Sequence, residues 1–275
     1  MKKSLIILSV CVLCCSLVFA GCGKESPKQP EAVPEAKVTQ ADIEKNIIGS
    51  WIIAERGGKP ALTNEKCVVN FVSADKAYIS ASFASLPDDS MYWGNSREVD
   101  VVIDGDKLTL SRTVNEHVTI IDEITISEVT DKEQSGSIAV KKVEDGSETL
   151  FLEEQMRFVK TDADFSKDVL GTWEGRSTSK DSVYDDGQDH RWTFKDDGSF
   201  IYYLKDGDSW KATDDPVSEY FVAGDLLCSR WVNNEGEFRE WWDITVEGDT
   251  MKWTALREDA DGKTFTTSFE MVKVD

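Results

Sequence analysis

The sequence predicts an all-β chain that folds into two tandem small antiparallel meander β-barrels, and three observations lead to this prediction. Short runs rich in Val, Ile, Thr, Phe, Tyr and Trp alternate with polar residues. Asp-Gly and Gly-Asp pairs separate these runs, and such pairs are typical of β-hairpin turns. The same succession of features occurs twice, about 120 residues apart. A β-sandwich is the alternative architecture.

The first 21 residues have the layout of an export signal. The pair Lys2-Lys3 precedes an uninterrupted stretch of apolar and small residues from 4 to 20. Residues 19–22 (FAGC) resemble the lipobox of bacterial lipoproteins, which implies that Cys22 is acylated and holds the exported chain at a bacterial membrane. An uncleaved membrane span is the alternative. The residue after Cys22 is Gly23 and not Asp, which marks retention in the inner membrane in enterobacteria-like systems. The outer membrane is therefore a candidate location in a host that has one.

The remaining chain divides into a tether and two domains. Residues 22–46 form the predicted flexible tether, which contains Pro27, Pro30 and Pro34. Near its end, Thr39 and Asp42 have the spacing of a capping box and predict one short helical turn. The first β domain is expected at residues 47–160, the connector at 161–168 and the second β domain at 169–275.

The two domains are predicted to be copies of one unit. Residues 47–51 (IIGSW) match residues 169–173 (VLGTW), and residues 158–160 (FVK) match residues 271–273 (MVK). Four further matches lie between these two, in the same order in both copies. The gaps between them fall in loops, where an insertion costs little free energy. The second copy contains eight or nine predicted strands. Regular hairpin spacing without a long crossover favours a barrel, because closure removes exposed strand edges.

A Gly-x-Trp motif at the start of each copy resembles the lipocalin superfamily, and more narrowly the short lipocalin-like domains of bacterial lipoproteins. The motif comprises Gly49 and Trp51 in the first copy and Gly171 and Trp173 in the second. The resemblance implies that each Trp plugs the closed end of its barrel, with a basic residue from near the last strand packed across it. Arg157 is the expected partner in the first copy, and Lys273 in the second. A motif this short supports a fold more than a function.

The charge balance excludes two classes of partner. The chain has 31 Lys and Arg against 52 Asp and Glu, a formal net charge of −21. We therefore expect no binding to nucleic acid and no electrostatic attraction to anionic lipid headgroups.

No catalytic or metal-binding motif is found, so we expect neither an enzyme nor a cofactor nor a metal site. The two His, His117 and His190, are not at equivalent positions, and His190 is interpreted as an exposed turn residue. The acidic stretch 259–263 is interpreted as a hairpin turn, because Lys263 stands where a calcium loop needs an oxygen ligand. Cys67 and Cys228 are expected to be small apolar strand residues, and a disulfide between them is the alternative.

The aromatic residues give the most specific prediction. Seven of the nine Trp lie between residues 173 and 253. Strand alternation predicts an interior lined by Trp242, Trp253, Phe265, Phe269 and Met271. This interior is either a filled core or a small apolar ligand cavity. The same alternation turns Trp241 outward, where an exposed Trp would suit a sugar or a protein partner.

Two functions are compatible with these features of the sequence. The first is that of a membrane-anchored, non-enzymatic protein that binds a small hydrophobic or amphipathic ligand in its barrels. The alternative is that of a solid-cored β module that binds envelope protein or glycan through exposed aromatic residues.

Overall fold

The computed structural model describes residues 37–80, 97–178 and 189–274. Strands dominate all three segments, and every strand pairing is antiparallel. The predicted all-β class and tandem arrangement are therefore confirmed. Helical structure in the described segments is limited to α1 (Gln40–Asn46) and a 3-10 turn at Thr63–Glu65. The export signal and Cys22 lie outside the described residues.

The first sheet closes on itself. Its strands are β1 (Gly49–Arg56), β2 (Lys59–Pro60), β3 (Val68–Ser73), β4 (Lys76–Ser80), β5 (Arg97–Asp104), β6 (Lys107–Asn115), β7 (Val118–Val129), β8 (Glu133–Glu144) and β9 (Ser147–Thr161). The two-residue β2 pairs with the end of β1, and the other strands follow one another around the sheet. Pairing of β9 with β1 closes an eight-stranded barrel, in which Trp51 stands opposite Lys160.

Within residues 171–178 and 189–274, the second sheet has nine strands and stays open on one side. They are β10 (Gly171–Ser177), β11 (Asp189–Phe194), β12 (Phe200–Asp206), β13 (Ser209–Ala212), β14 (Val217–Ala223), β15 (Leu226–Asn233), β16 (Gly236–Glu247), β17 (Thr250–Glu258) and β18 (Thr264–Lys273). The gap lies between β12 and β14, which are joined by the single bridge Ser199–Glu219. Pro216 directly precedes β14 and has no N–H for a ladder, which agrees with the interrupted pairing. The second copy is thus a half-barrel.

Helix α1 covers the first barrel. The Thr39 hydroxyl accepts a hydrogen bond from the Asp42 backbone N–H, and the Asp42 carboxylate accepts one from the Thr39 N–H, so the predicted capping box is formed. Ile43 and Ile47 are fully buried in the barrel core. The last residues of the predicted tether are therefore part of the folded structure.

The two sheets pack against each other through the outer face of β14–β16. Ile52 and Val68 of the first sheet form one buried cluster with Leu226, Cys228 and Trp241 of the second. An ion pair between Lys66 Nζ and the Asp243 carboxylate, at 2.6 and 2.7 Å, lies in the same contact region.

This contact corrects the expectation for Trp241. Its side chain points away from the interior of the second sheet, opposite to Trp242, as alternation requires. However, Trp241 is only 5% exposed, because the first barrel covers it. The Thr63 hydroxyl also donates a hydrogen bond to the Trp241 carbonyl oxygen. Trp241 is thus a contact between the two copies and not an exposed binding surface.

Both described cysteines are free thiols in apolar surroundings. Cys67 directly precedes β3, and Cys228 lies within β15. Burial raises the pKa of Cys67 to about 12 and raises the pKa of Cys228 well above its ordinary value. The thiolate is the reactive form of cysteine, so neither residue has the character of a nucleophile.

Candidate functional site

Each copy has a tryptophan plug at one end, built in the same way. The Trp51 indole N–H donates to the Ile47 carbonyl oxygen at 2.6 Å, and the Trp173 indole donates to the Val169 carbonyl at 2.8 Å. Both Trp are fully buried. The Nζ atom of Lys273 lies 5.3 Å from the Trp173 ring centroid, as the resemblance implied.

In the first barrel, the residue over the plug is Lys160 and not Arg157. Lys160 Nζ is 5.4 Å from the Trp51 ring centroid, and Lys160 stands opposite Trp51 across β1 and β9. Arg157 lies three residues before Lys160 in β9 and forms ion pairs with Glu55 and Glu133. The alignment of the two copies predicts Lys160 at this position, because Lys160 aligns with Lys273.

The interior of the first barrel is filled. The pocket that the described residues line there has only about 30 Å³ of free space, and most of its lining is Ile, Val, Leu, Phe and Met side chains. The main polar feature is an ion pair between Arg112 and Asp122, with 2.6 Å between Nη1 and Oδ2. The filled-core alternative therefore applies to this copy.

The second sheet encloses a cavity of about 170 Å³. Four tryptophans line it: Trp192, Trp231, Trp242 and Trp253. The other aromatic lining residues are Phe194, Phe200, Tyr202 and Phe269. The interior of this copy is therefore not completely filled, and its wall is aromatic rather than aliphatic.

The aromatic rings hold one another in place. Trp192 and Trp253 have centroids 4.9 Å apart, and Trp192 stacks on Tyr202 at 5.1 Å. Trp242 lies 5.5 Å from Trp253 and packs edge-on against Phe269 at 5.6 Å. Such mutual packing fixes the orientation of the rings, so the shape of the cavity is set by the fold.

Four polar side chains complete the lining: His190, Asp215, Ser229 and Glu240. His190 Nδ1 shares a hydrogen bond of 2.7 Å with the Tyr202 hydroxyl, and the His190 ring stacks on Trp192. Glu240 accepts a hydrogen bond from Arg257 at 3.3 Å. In the described part of the chain, Asp215 has no ion pair or hydrogen bond.

The position of His190 corrects the sequence interpretation. His190 is 7% exposed and belongs to β11, where it shares the inner face with Trp192 and Phe194. The acidic residues before it are typical of an exposed turn, yet the strand already begins at Asp189.

Alternation predicts the inward face of these strands correctly, but not every residue on that face lines the cavity. Trp242, Trp253 and Phe269 line the cavity. Met271 points inward too, but it packs fully buried between β10 and β17, outside the cavity lining. Phe265 lies near the start of β18 and is half-buried, also outside the lining.

Strands β11, β12 and β15 also contribute to the site, which the sequence-based prediction did not include. Their inward residues are His190, Trp192, Tyr202, Ser229 and Trp231, together with Phe194 and Phe200. The same alternation rule finds them, since His190, Trp192 and Phe194 are spaced two apart. A polar residue on an apolar face, such as Glu240 beside Trp242, was a further signal for a site rather than a core.

The described segments contain neither a metal cluster nor a membrane-spanning helix. No group of three or more His, Cys, Asp or Glu side chains is arranged there to hold a metal ion. No helix in these segments has the length and apolar character that a membrane span requires.

The fold and the site define a tandem antiparallel β-barrel protein in which one copy is filled and the other encloses an aromatic cavity. No protein-family model and no curated protein matches this sequence.

Among solved structures, a protein of unknown function of the DUF3598 family from Nostoc punctiforme is 10% identical, with a TM-score of 0.22, and the match covers 86% of this chain and 99% of that one. Transferrin Binding Protein B from Haemophilus parasuis, as a double mutant, is 9% identical with a TM-score of 0.23. That match covers 82% of this chain but only 58% of the other, less than two thirds of its length. TM-scores this low support no conclusion about the fold, which is therefore described from the sheets of this chain alone.

Proposed function

We propose that this protein is a lipid-anchored bacterial envelope protein with lipocalin-like domains, whose second domain binds a small amphipathic molecule and catalyses no reaction. The observation that carries the proposal is the aromatic cavity of about 170 Å³ in the second copy, at a place where the first copy is filled. Protein interiors are normally packed to the density of organic crystals. A pre-formed space with a few polar groups is the usual form of a small-molecule site.

The size of the cavity limits the ligand. An apolar cavity of about 150 Å³ in another protein accepts benzene. The cavity here therefore suits a compact molecule of roughly six to ten non-hydrogen atoms. A long acyl chain exceeds this volume and would have to extend out through the open side of the sheet.

The first test uses 3,3-dimethylbutan-1-ol, a neutral amphipathic probe with a compact apolar body and one hydroxyl. We expect it to quench or shift the fluorescence of the cavity tryptophans, with a dissociation constant of about 1 mM or below. Native mass spectrometry of the protein purified gently from its host should also show a small adduct.

A space-filling variant makes this test specific. Ser229 lines the cavity, so Ser229→Phe should fill it and abolish binding of the probe. Thr266→Phe adds the same side chain on the exposed outer face of β18 and should leave binding unchanged. If Ser229→Phe folds and binds the probe like the wild type, the cavity is not the site and the proposal fails.

The lipid anchor has its own test. Cys22→Ala should abolish palmitate labelling and release the protein from membranes, because attachment depends on acyl chains on that sulfur. Cys15→Ala, in the apolar stretch of the signal, is the matched control and should keep both properties. Membrane attachment of Cys22→Ala at the wild-type level would contradict the anchor.

The envelope-protein or glycan alternative has lost its main support. Trp241 is the exposed aromatic residue that the sequence offered for it, and that side chain is covered by the first barrel. Phe151 and Phe238 are exposed, at 49% and 37%, but neither of them lines the cavity. Binding in the cavity is therefore the function that the geometry supports best.

A further inference from the structure

We propose that the ligand of the aromatic cavity is a small organic ammonium ion. This inference rests on the proposed function and specifies the chemical class of its ligand. It is carried by three features of the cavity: its tryptophan faces, its carboxylates and the cation already held against its wall.

The first feature is the density of aromatic faces. The π-face of an aromatic ring is negative and attracts a cation, most strongly for Trp. Four Trp and one Tyr line the cavity, a composition that resembles the aromatic cages that hold alkylated ammonium groups. A purely apolar ligand would be served as well by Leu and Ile, which fill the first barrel.

The second feature is negative charge on the wall. Asp215 and Glu240 both line the cavity. Glu240 is neutralised by Arg257, at 3.3 Å, whereas Asp215 is half-buried and has no ion pair or hydrogen bond in the described segments. A cation in the cavity would give Asp215 a partner, while an anion would be repelled by it and by the net charge of −21.

The third feature is a cation–π contact that the protein itself makes. The guanidinium carbon of Arg257 lies 4.8 Å from the centroid of Trp242. The wall of the cavity thus already stabilises a positive charge at one Trp. The same chemistry is available to a cation at the other tryptophans of the lining.

The decisive comparison uses two probes of the same shape. Choline and 3,3-dimethylbutan-1-ol differ only in the quaternary nitrogen of choline, which the alcohol replaces with a neutral carbon. We expect choline to bind at least about tenfold more tightly in isothermal titration at low ionic strength, and the difference to shrink as salt is added.

Two single-residue variants locate the charge effect. Asp215→Asn should weaken choline binding about fivefold and leave the neutral alcohol unaffected, since it removes charge with almost no change in shape. Asp214→Asn, the exposed neighbour, is the matched control and should change neither affinity. Thermal unfolding of both variants verifies that they fold.

The outcomes separate this inference from the proposed function. Equal affinity for the two probes, or tighter binding of the alcohol, overturns the ammonium ligand but leaves a cavity that binds small molecules. If neither probe binds, both proposals fail. Loss of choline binding in Asp214→Asn but not in Asp215→Asn also overturns the inference.

An ammonium group can be free or belong to a lipid headgroup. Sedimentation with phosphatidylcholine vesicles, using protein that lacks residues 1–36, distinguishes the two sources. Vesicle binding that free choline displaces identifies a headgroup, and choline binding without vesicle binding identifies a free cation. Both results support the inference.

Discussion

At the scale of single residues, Gly49 carries the strictest constraint at the closed end of the first barrel. Its φ is +123°, a backbone conformation that L-residues rarely adopt, and Gly171 in the second copy has a φ of +113°. A Cβ on Gly49 would lie 2.5 Å from Cε of Lys160, the residue that covers the Trp51 plug. The Gly-x-Trp motif thus combines a backbone bend with the space for the covering lysine.

We therefore expect Gly49→Ala to lower the free energy of unfolding by about 2–3 kcal/mol, through backbone strain and displacement of Lys160. Gly58→Ala is the control, because φ there is +74° and nothing lies within 4 Å of the added Cβ. Its cost should be only about 1 kcal/mol. Urea denaturation measures both, and equal losses would show that the lysine contact is irrelevant.

At the scale of elements, β6 and β7 place an ion pair inside the filled barrel. The side chains of Arg112 and Asp122 are 1% and 10% exposed, and they lie on neighbouring strands among aliphatic residues. Taking two charges out of water costs several kcal/mol, which their attraction offsets only while both are present.

Arg112→Met should thus destabilise the protein by about 3–5 kcal/mol, because Asp122 is left as a buried charge. The double variant Arg112→Met with Asp122→Leu should recover most of that loss. Removing the exposed pair Lys252–Glu270, whose side chains are 59% and 61% exposed, should cost less than about 1 kcal/mol. A double variant as unstable as the single one would contradict this account of the pair.

The strand pattern also explains how much of the structure the sequence predicts. Hairpin signals such as Gly224-Asp225 and Gly207-Asp208 lie in turns between strands, so the order of the strands in the second copy can be predicted from the sequence. Alternation places Trp242 and Trp241 on opposite faces correctly. It cannot show that a neighbouring sheet covers Trp241, because burial of an outer face depends on tertiary contacts far apart in sequence.

At the scale of the whole molecule, two copies of one unit have different interiors. The first is a closed barrel filled with aliphatic side chains, and the second is an open sheet around an aromatic cavity. The outer face of β14–β16 rests on the first barrel, so the filled copy supports the strands that carry Ser229, Glu240 and Trp242. A rigid support of this kind favours a site whose geometry is fixed before the ligand arrives.

The junction between the copies also predicts a pH dependence of stability. Burial raises the pKa of Asp225 above its ordinary value of 3.8, and the nearby Asp243 carboxylate raises it further. A backbone hydrogen bond, Lys66 and Thr161 act in the opposite direction without cancelling the shift. Since the folded form holds the proton more tightly, stability falls as the pH rises from the unfolded pKa through the folded one, and the full penalty is present at neutral pH.

Asp225→Asn removes this penalty. At pH 7 the variant should unfold at a higher urea concentration than the wild type, and the gain should shrink toward zero as the pH falls well below 3.8, where the wild-type carboxyl is protonated in both states. Asp249→Asn, an exposed turn carboxylate in the second copy, is the control and should show no such trend. A gain of the same size at pH 3 and pH 7 would mean that the charge of Asp225 does not destabilise the junction.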